Sequence, residues 1–263
     1  MATQAARESA VKRLLERYRA REISRREFFQ MLAFATGSVL VARDILLAEG
    51  IASEWEWYNW PDAQGQTPPT PKESITAGEQ RRPAGVEAEW VEYASGEGKV
   101  GAYLARPAKG APFASIVVIH ENRGLTEFVL DIAQRWAAEG LLGIAPDLLS
   151  RLGGTAGFAS MDAAREGIGK LDRAGVMADL AGTMAYLKSR KDVKKEWMGV
   201  SGFCWGGAQT FYFATESSEL SFAAPFYGGA PPADRLEKIA CPIFAVCAED
   251  DQRVNASLDA IDV

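Results

Sequence analysis

A cysteine flanked by glycines is the residue best placed to do chemistry in this chain. In GVSGFCWGGAQTF, the frame Gly202-Phe203-Cys204-Trp205-Gly206 sets a thiol at the centre of a G-x-nucleophile-x-G pattern. The residues before it (WMGVSG, 197–202) predict a strand, and those from Gly206 onward predict a helix. A nucleophile held in so tight a turn needs glycine two positions before and after, where any side chain would collide. The strand would deliver the thiol to the carboxyl edge of a sheet, where open α/β sheets bind ligands. The helix would point its positive end at the sulfur, which favours thiolate and makes Cys204 the cysteine expected to alkylate first. Ser201 offers a rival frame with Gly199 before it, but Phe203 stands where the second glycine is needed. The alternative without chemistry is a glycine-rich helix entry around a buried thiol.

The other two cysteines, Cys241 and Cys247, lie in CPIFAVC. Six strand steps separate them by about 20 Å, too far for a disulfide. Both are expected as small buried hydrophobes. An odd count without a C-x-x-C pair points to neither a disulfide framework nor zinc, and no cofactor or metal is expected. His120 is the only histidine, so a mechanism that needs an imidazole base has one candidate.

The elements that must position Cys204 begin at Val86. EAEWVEY and KVGAYLARP alternate apolar and polar residues around Gly96 and Gly98, as in a half-exposed hairpin. ASIVVI (114–119), LLGIAP (141–146), FAAPFYGG (222–229) and CPIFAVC (241–247) read as strands buried on both faces. Between them, Glu127–Glu139 predicts a helix with a stripe of Phe128, Ile132 and Trp136, and Ala178–Ser189 one with Leu180, Met184 and Leu187. Such alternation implies an α/β fold with a mostly parallel sheet and helices on both faces.

Before that domain, residues 1–48 read as a helical extension, basic from Val11 to Arg21. There the pair Arg25-Arg26 precedes a short apolar run, Met31–Ala42. Twin arginines before such a run suggest a Tat-like export signal and a periplasmic destination. Glu8, Glu16, Glu22 and the pair Arg43-Asp44 fit better with a helical extension on a cytoplasmic protein. Residues 49–85, with Pro68, Pro69 and Pro71, read as a linker that excludes a continuous helix. Its Trp55, Trp57, Tyr58 and Trp60 are read as surface packing rather than a sugar platform. Over 263 residues the chain is 48% hydrophobic with a net charge of −6, which argues against a nucleic-acid partner. No apolar run reaches the ~18 residues of a membrane span.

GFCWGG resembles the nucleophile motif of the dienelactone hydrolase family, as do VVIHENRGL, the later APDLLSR, and AVCAEDDQRVN. The resemblance runs from about Val86 to the last residue, so residues 86–263 are expected to form an α/β-hydrolase domain. It implies hydrolysis of a lactone or carboxylic ester, with Cys204 as nucleophile and a thioester intermediate. The implied oxyanion donors are the backbone N–H groups of Trp205 and Asn122. Glu121 matches the family's glutamate that interacts with the cysteine and is linked to its activation. Asp251 matches the triad acid that orients an imidazole, with Glu249 and Asp250 adjacent. His120 is expected to be a structural neighbour, because successive strand residues face opposite ways.

The triad histidine would follow the acid in chain order, yet the sequence stops at Val263. The chain is therefore expected to be C-terminally truncated, to lack its last strand and helix, and to be inactive as it stands. Residues 151–170 are expected to set specificity, with Arg123, Arg151 and Arg165 as candidates for a substrate carboxylate, although a surface arginine is the more ordinary reading of any one of them. A non-catalytic ligand-binding protein of the same fold is the alternative. A thiol redox protein is a weaker third reading, because no resolving thiol lies near Cys204 in sequence.

Overall fold

Ile116 and Val118 pack against one layer of helices while Val117 and Ile119, between them, pack against another. That alternation is the two-fold period of a strand covered on both faces, and the rest of the architecture follows from it. A computed structural model describes residues 4–20, 22, 23, 28, 45 and 69–258 apart from 97 and 250. The chain forms two compact units, Met1–Pro68 and Pro69–Val263. In the first, α1 (Gln4–Arg19) agrees with the basic helix read from the sequence, and Tyr18 stacks on Phe28 with ring centroids 4.7 Å apart. Arg25, Arg26, the apolar run 31–42 and Trp55, Trp57, Tyr58 and Trp60 lie outside the described residues.

The second unit runs α2 (Pro71–Gln80), β1 (Val86–Ser95), β2 (Gly98–Pro107), β3 (Phe113–Ile119), α3 (Glu127–Ala138), β4 (Leu142–Pro146), α4 (Met161–Gly169) and α5 (Arg173–Ser189). It continues through β5 (Val193–Phe203), α6 (Trp205–Glu216), β6 (Phe222–Phe226), α7 (Ala233–Leu236) and α8 (Gln252–Leu258). The six strands are ordered β1-β2-β4-β3-β5-β6. β1–β2 and β2–β4 are antiparallel, and β4–β3, β3–β5 and β5–β6 are parallel. One face is covered by Leu180, Met184 and Leu187 of α5 and Phe213 and Ala214 of α6. The other is covered by Ile75 of α2 and Val129, Leu130, Ala133 and Ala137 of α3. This is the α/β-hydrolase arrangement expected from the motifs.

Three local readings change. Residues 71–80 of the expected linker form α2, because a proline in the first turn of a helix sacrifices no hydrogen bond. A capping box closes that end: Thr70 Oγ1 accepts from Glu73 N (3.3 Å), and Thr70 N donates to the Glu73 carboxylate (2.8 Å). Gly78 lets α2 lie on α3, since a Cβ there would sit 2.9 Å from Glu127 Cα. Second, α3 turns Val129, Leu130, Ala133 and Ala137 inward and leaves Phe128 38% exposed, one position away from the expected stripe. Its core face is built from smaller residues because the sheet is close, with Gly143 facing Ala133 O.

The third change is at 241–247, read as a strand buried on both faces, which among the described residues lies at the edge of the sheet with exposed side chains. It pairs with β6 only at Ala223–Ile243 and Phe226–Val246. Phe244 is 69% exposed and Cys247 is exposed. Among the described residues no helix is long and apolar enough to cross a membrane.

Candidate active site

Parallel pairing brings four strand ends to one edge of the sheet. Ile119 of β3 is level with Gly202 of β5, Phe203 with Phe226 of β6, and Phe226 with Val246. Glu121, Cys204, Tyr227 and Asp251 all lie just beyond those ends. This is the carboxyl edge, where an open α/β sheet leaves room for a ligand.

Cys204 sits between β5 and α6 with φ 55° and ψ −114°, a positive φ outside the region a cysteine ordinarily occupies. Such a conformation costs on the order of 1–3 kcal/mol and persists only where its surroundings enforce it. Cys204 N donates to Phe226 O (3.0 Å), and Cys204 O accepts from Ala208 N (3.2 Å). The glycines enforce the rest by close approach. A Cβ on Gly202 would sit 2.3 Å from Gly206 O, and one on Gly206 would sit 2.4 Å from His120 O. The elbow therefore has the geometry its spacing predicts, with its collisions now assigned to named atoms.

Its electrostatics differ from the sequence expectation. Burial, followed by the nearby Glu121 carboxylate, pushes the Cys204 thiol up. The Trp205 N–H, Arg253 and Arg123 pull the other way without prevailing. The balance favours the thiol over the thiolate, since burial and Glu121 outweigh the Trp205 N–H and the two arginines. Glu121 is also pushed up, first by burial, against a hydrogen bond from Tyr227 Oη (3.2 Å) and the charge of Arg123. Because Cys247 is exposed and Cys204 is half-buried, iodoacetamide at neutral pH should label Cys247 before Cys204, reversing the order inferred from the sequence. Peptide mapping that finds Cys204 modified first would refute this.

The three candidate arginines separate. Arg123 lies beside Glu121; burial pushes its guanidinium down, and the charge of Arg165 on α4 adds to that. Arg151 is committed elsewhere. Its Nε and Nη2 donate to both oxygens of Asp179 (3.0 and 2.6 Å), a carboxylate only 2% exposed that also accepts from Ser95 Oγ (2.6 Å). Removing one partner of such a pair strands a buried charge. Arg151→Ala should therefore lower stability by about 2–3 kcal/mol in urea unfolding, discounted from a fully buried pair because Arg151 remains partly solvated. An unchanged midpoint would contradict that assignment.

Asn122 is half-buried at the end of β3. Asp251 heads α8, its Oδ1 accepting from Val254 N (3.0 Å), with Arg253 Nη2 3.9 Å from Oδ2. Asp250 lies outside the described residues, and Glu249 is exposed. His120 does not reach toward the thiol. Its Nδ1 is 2.7 Å from Glu121 O, and its Nε2 accepts from Leu148 N (3.2 Å), so both ring nitrogens are engaged. Among the described residues no cluster of His, Cys, Asp and Glu could hold a metal ion.

Sequence reading missed two neighbours of this site, Tyr227 and Arg253. Tyr227 has φ 41°. The only signal in its favour was the Gly228-Gly229 pair that follows it, where Gly228 packs so close that a Cβ would sit 2.1 Å from Ala208 N.

Known proteins share this architecture and its sequence pattern. A relative provisionally named carboxymethylenebutenolidase from Methylorubrum extorquens is 29% identical over 72% of this chain and 61% of its own length. An Escherichia coli protein with the same provisional name is 35% identical over 48% of this chain and 47% of its own. The chain thus spans roughly half to three-fifths of these relatives. A crystal structure of a provisionally titled dienelactone hydrolase from Klebsiella pneumoniae matches with a TM-score of 0.60 and 25% identity. It covers 67% of this chain and 78% of that one. The model of the dienelactone hydrolase family matches residues 100–262, more than half of the sequence, and the chain belongs to that family.

Proposed function

We propose that the chain carries the acylating half of an ester or lactone hydrolase, with Cys204 as its nucleophile. The observation that supports this most is the left-handed elbow at Cys204, which holds the thiol at the carboxyl edge beside Glu121 and the Trp205 N–H. The resting pair is a neutral thiol and a carboxylate. Glu121, pushed up by burial, is a better proton acceptor than a solvated glutamate. It takes the thiol proton as Sγ attacks the carbonyl carbon. The tetrahedral oxyanion is received by the N–H groups of Trp205 and Asn122. The C–O bond to the leaving group then breaks, the alcohol regains the proton from Glu121, and a Cys204 thioester remains for water to hydrolyse. Asp251 is assigned the triad-acid role.

Arg123, with Arg165 and Arg253 nearby, favours esters or lactones that carry a carboxylate. The test is the burst of p-nitrophenolate from p-nitrophenyl acetate. The parent chain should give one, and Cys204→Ala should slow it by at least about 10³-fold, as loss of a nucleophile does. A burst unchanged in Cys204→Ala would remove the thiol from the mechanism.

A second reading, ligand binding without chemistry, is favoured by one observation: both nitrogens of the sole histidine are engaged. It predicts lactone binding with no burst. Export through Arg25-Arg26 is also proposed. Arg25→Lys with Arg26→Lys should retain the protein in the cytoplasm, and unchanged fractionation would reject that.

A further inference from the structure

His120 is fully buried, yet the proposed mechanism gives it no task. Its surroundings give it one. Leu148 N is a backbone amide and can only donate, so Nε2 must be the acceptor of their 3.2 Å contact. The proton is thereby fixed on Nδ1, which donates to Glu121 O at 2.7 Å. Burial also pushes the imidazole down, which keeps the ring in this neutral form. The ring plane is held as well, stacked on the Trp205 indole at 5.5 Å with 13° between planes.

Glu121 O belongs to the same planar peptide unit as Asn122 N–H. In a trans peptide the carbonyl and the N–H point in opposite directions, so a hydrogen bond that pins one end sets the direction of the other. Trp205, against which the ring stacks, carries the other proposed donor. We propose that His120 is a positioning residue for the oxyanion site, fixing the Glu121–Asn122 peptide through its carbonyl and bracing Trp205 through the stacked ring. This inference rests on the acylation reading above. It removes His120 from the role of base and makes it part of the scaffold that aims both donors. Preorganised donors matter only where charge develops, so the effect belongs to acyl transfer and not to thiol reactivity in general.

The experiment compares two reactions of Cys204 in a Cys241→Ser/Cys247→Ser background. Acylation by p-nitrophenyl acetate passes through an oxyanion; alkylation by iodoacetamide does not. His120→Asn keeps an N–H where Nδ1 stands, His120→Gln keeps an acceptor near Nε2, and His120→Phe keeps neither. His120→Gln should lower the acylation rate about 10–100-fold while alkylation stays within about twofold; His120→Asn, which keeps the donor to Glu121 O, and His120→Phe, which keeps the ring against Trp205, should each recover part of it. A ratio of the two rates in His120→Gln equal to the parent's would overturn the proposal. So would an equal fall in all three variants, which would assign the residue to packing alone. A parent chain without a burst would overturn the acylation reading and this inference together, whereas a burst insensitive to His120 overturns only the inference.

Discussion

Mixed with p-nitrophenyl acetate, the 263-residue chain is expected to release about one equivalent of p-nitrophenolate and then nearly stop, because the proposed acyl transfer needs only the nucleophile, Glu121 as its proton acceptor and the oxyanion donors. Hydrolysis of the thioester needs a base for water. The one histidine donates from Nδ1 to Glu121 O and accepts at Nε2 from Leu148 N, so it cannot supply one. Glu121 is a weak substitute by its intrinsic basicity. Substituting a triad member in a hydrolase costs on the order of 10⁴–10⁶ in kcat, and the slow phase is expected on that scale. Free imidazole in the buffer should restore part of the turnover.

The burst itself should carry the signature of the raised thiol. With the base removed in Glu121→Gln the thiolate is the attacking form, and burial pushes that group above its ordinary value of 9.0. The burst of that variant should thus rise with pH and keep rising past that value, where an unperturbed thiol would level off, while the parent burst levels off once Glu121 is ionised. A Glu121→Gln burst that levels off near neutrality would mean that the thiol is ionised there after all. Rapid multiple turnover without imidazole would mean that a base has been overlooked.

Gly206→Ala should damage both the fold and the chemistry. The added methyl would sit 2.4 Å from His120 O and 2.5 Å from Ile119 O, and neither backbone atom can rotate away. Relief requires α6 to move off β3 by about 1 Å, and overpacking of this kind costs about 1–3 kcal/mol or more. Against a typical total of about 5–15 kcal/mol, that is a large share. The same movement carries the Trp205 N–H away from its proposed place at the oxyanion, and a displacement of about 1 Å can cost about 10² in rate. Urea unfolding and the burst rate should both report the change. An unaltered midpoint would show that the elbow is looser than its contacts imply.

What was legible in the sequence was governed by local rules. The elbow, β4 and the buried stripe of α5 rest on steric or periodic constraints a few residues long, and each is found where the pattern puts it. Failures occurred where a distant partner decides. Pro71 excludes a helix interior but suits a helix start, and only the capping by Thr70 and Glu73 distinguishes the two. CPIFAVC has the composition of a central strand, yet nothing among the described residues covers Phe244. Arg151 could be read only as a surface arginine or a substrate ligand, because Asp179, its partner, is 28 positions away. Cys204 looked like a thiolate because a helix terminus can be read from sequence while burial beside Glu121 cannot. Tyr227 and Arg253 reach the site only through folding of the sheet edge.

The residue on which an acyl group lands tests the role of Cys204 most directly. The chain would be incubated briefly with p-nitrophenyl acetate, quenched in acid, digested and mapped by mass spectrometry, with hydroxylamine sensitivity marking a thioester. Acetyl on the peptide containing Cys204, released by hydroxylamine and absent from Cys204→Ala, is the result the account predicts. In a Cys247→Ser background, acetyl on Ser201 or Cys241 with Cys204 unmodified, or a burst of acylation that persists in Cys204→Ala, would contradict it.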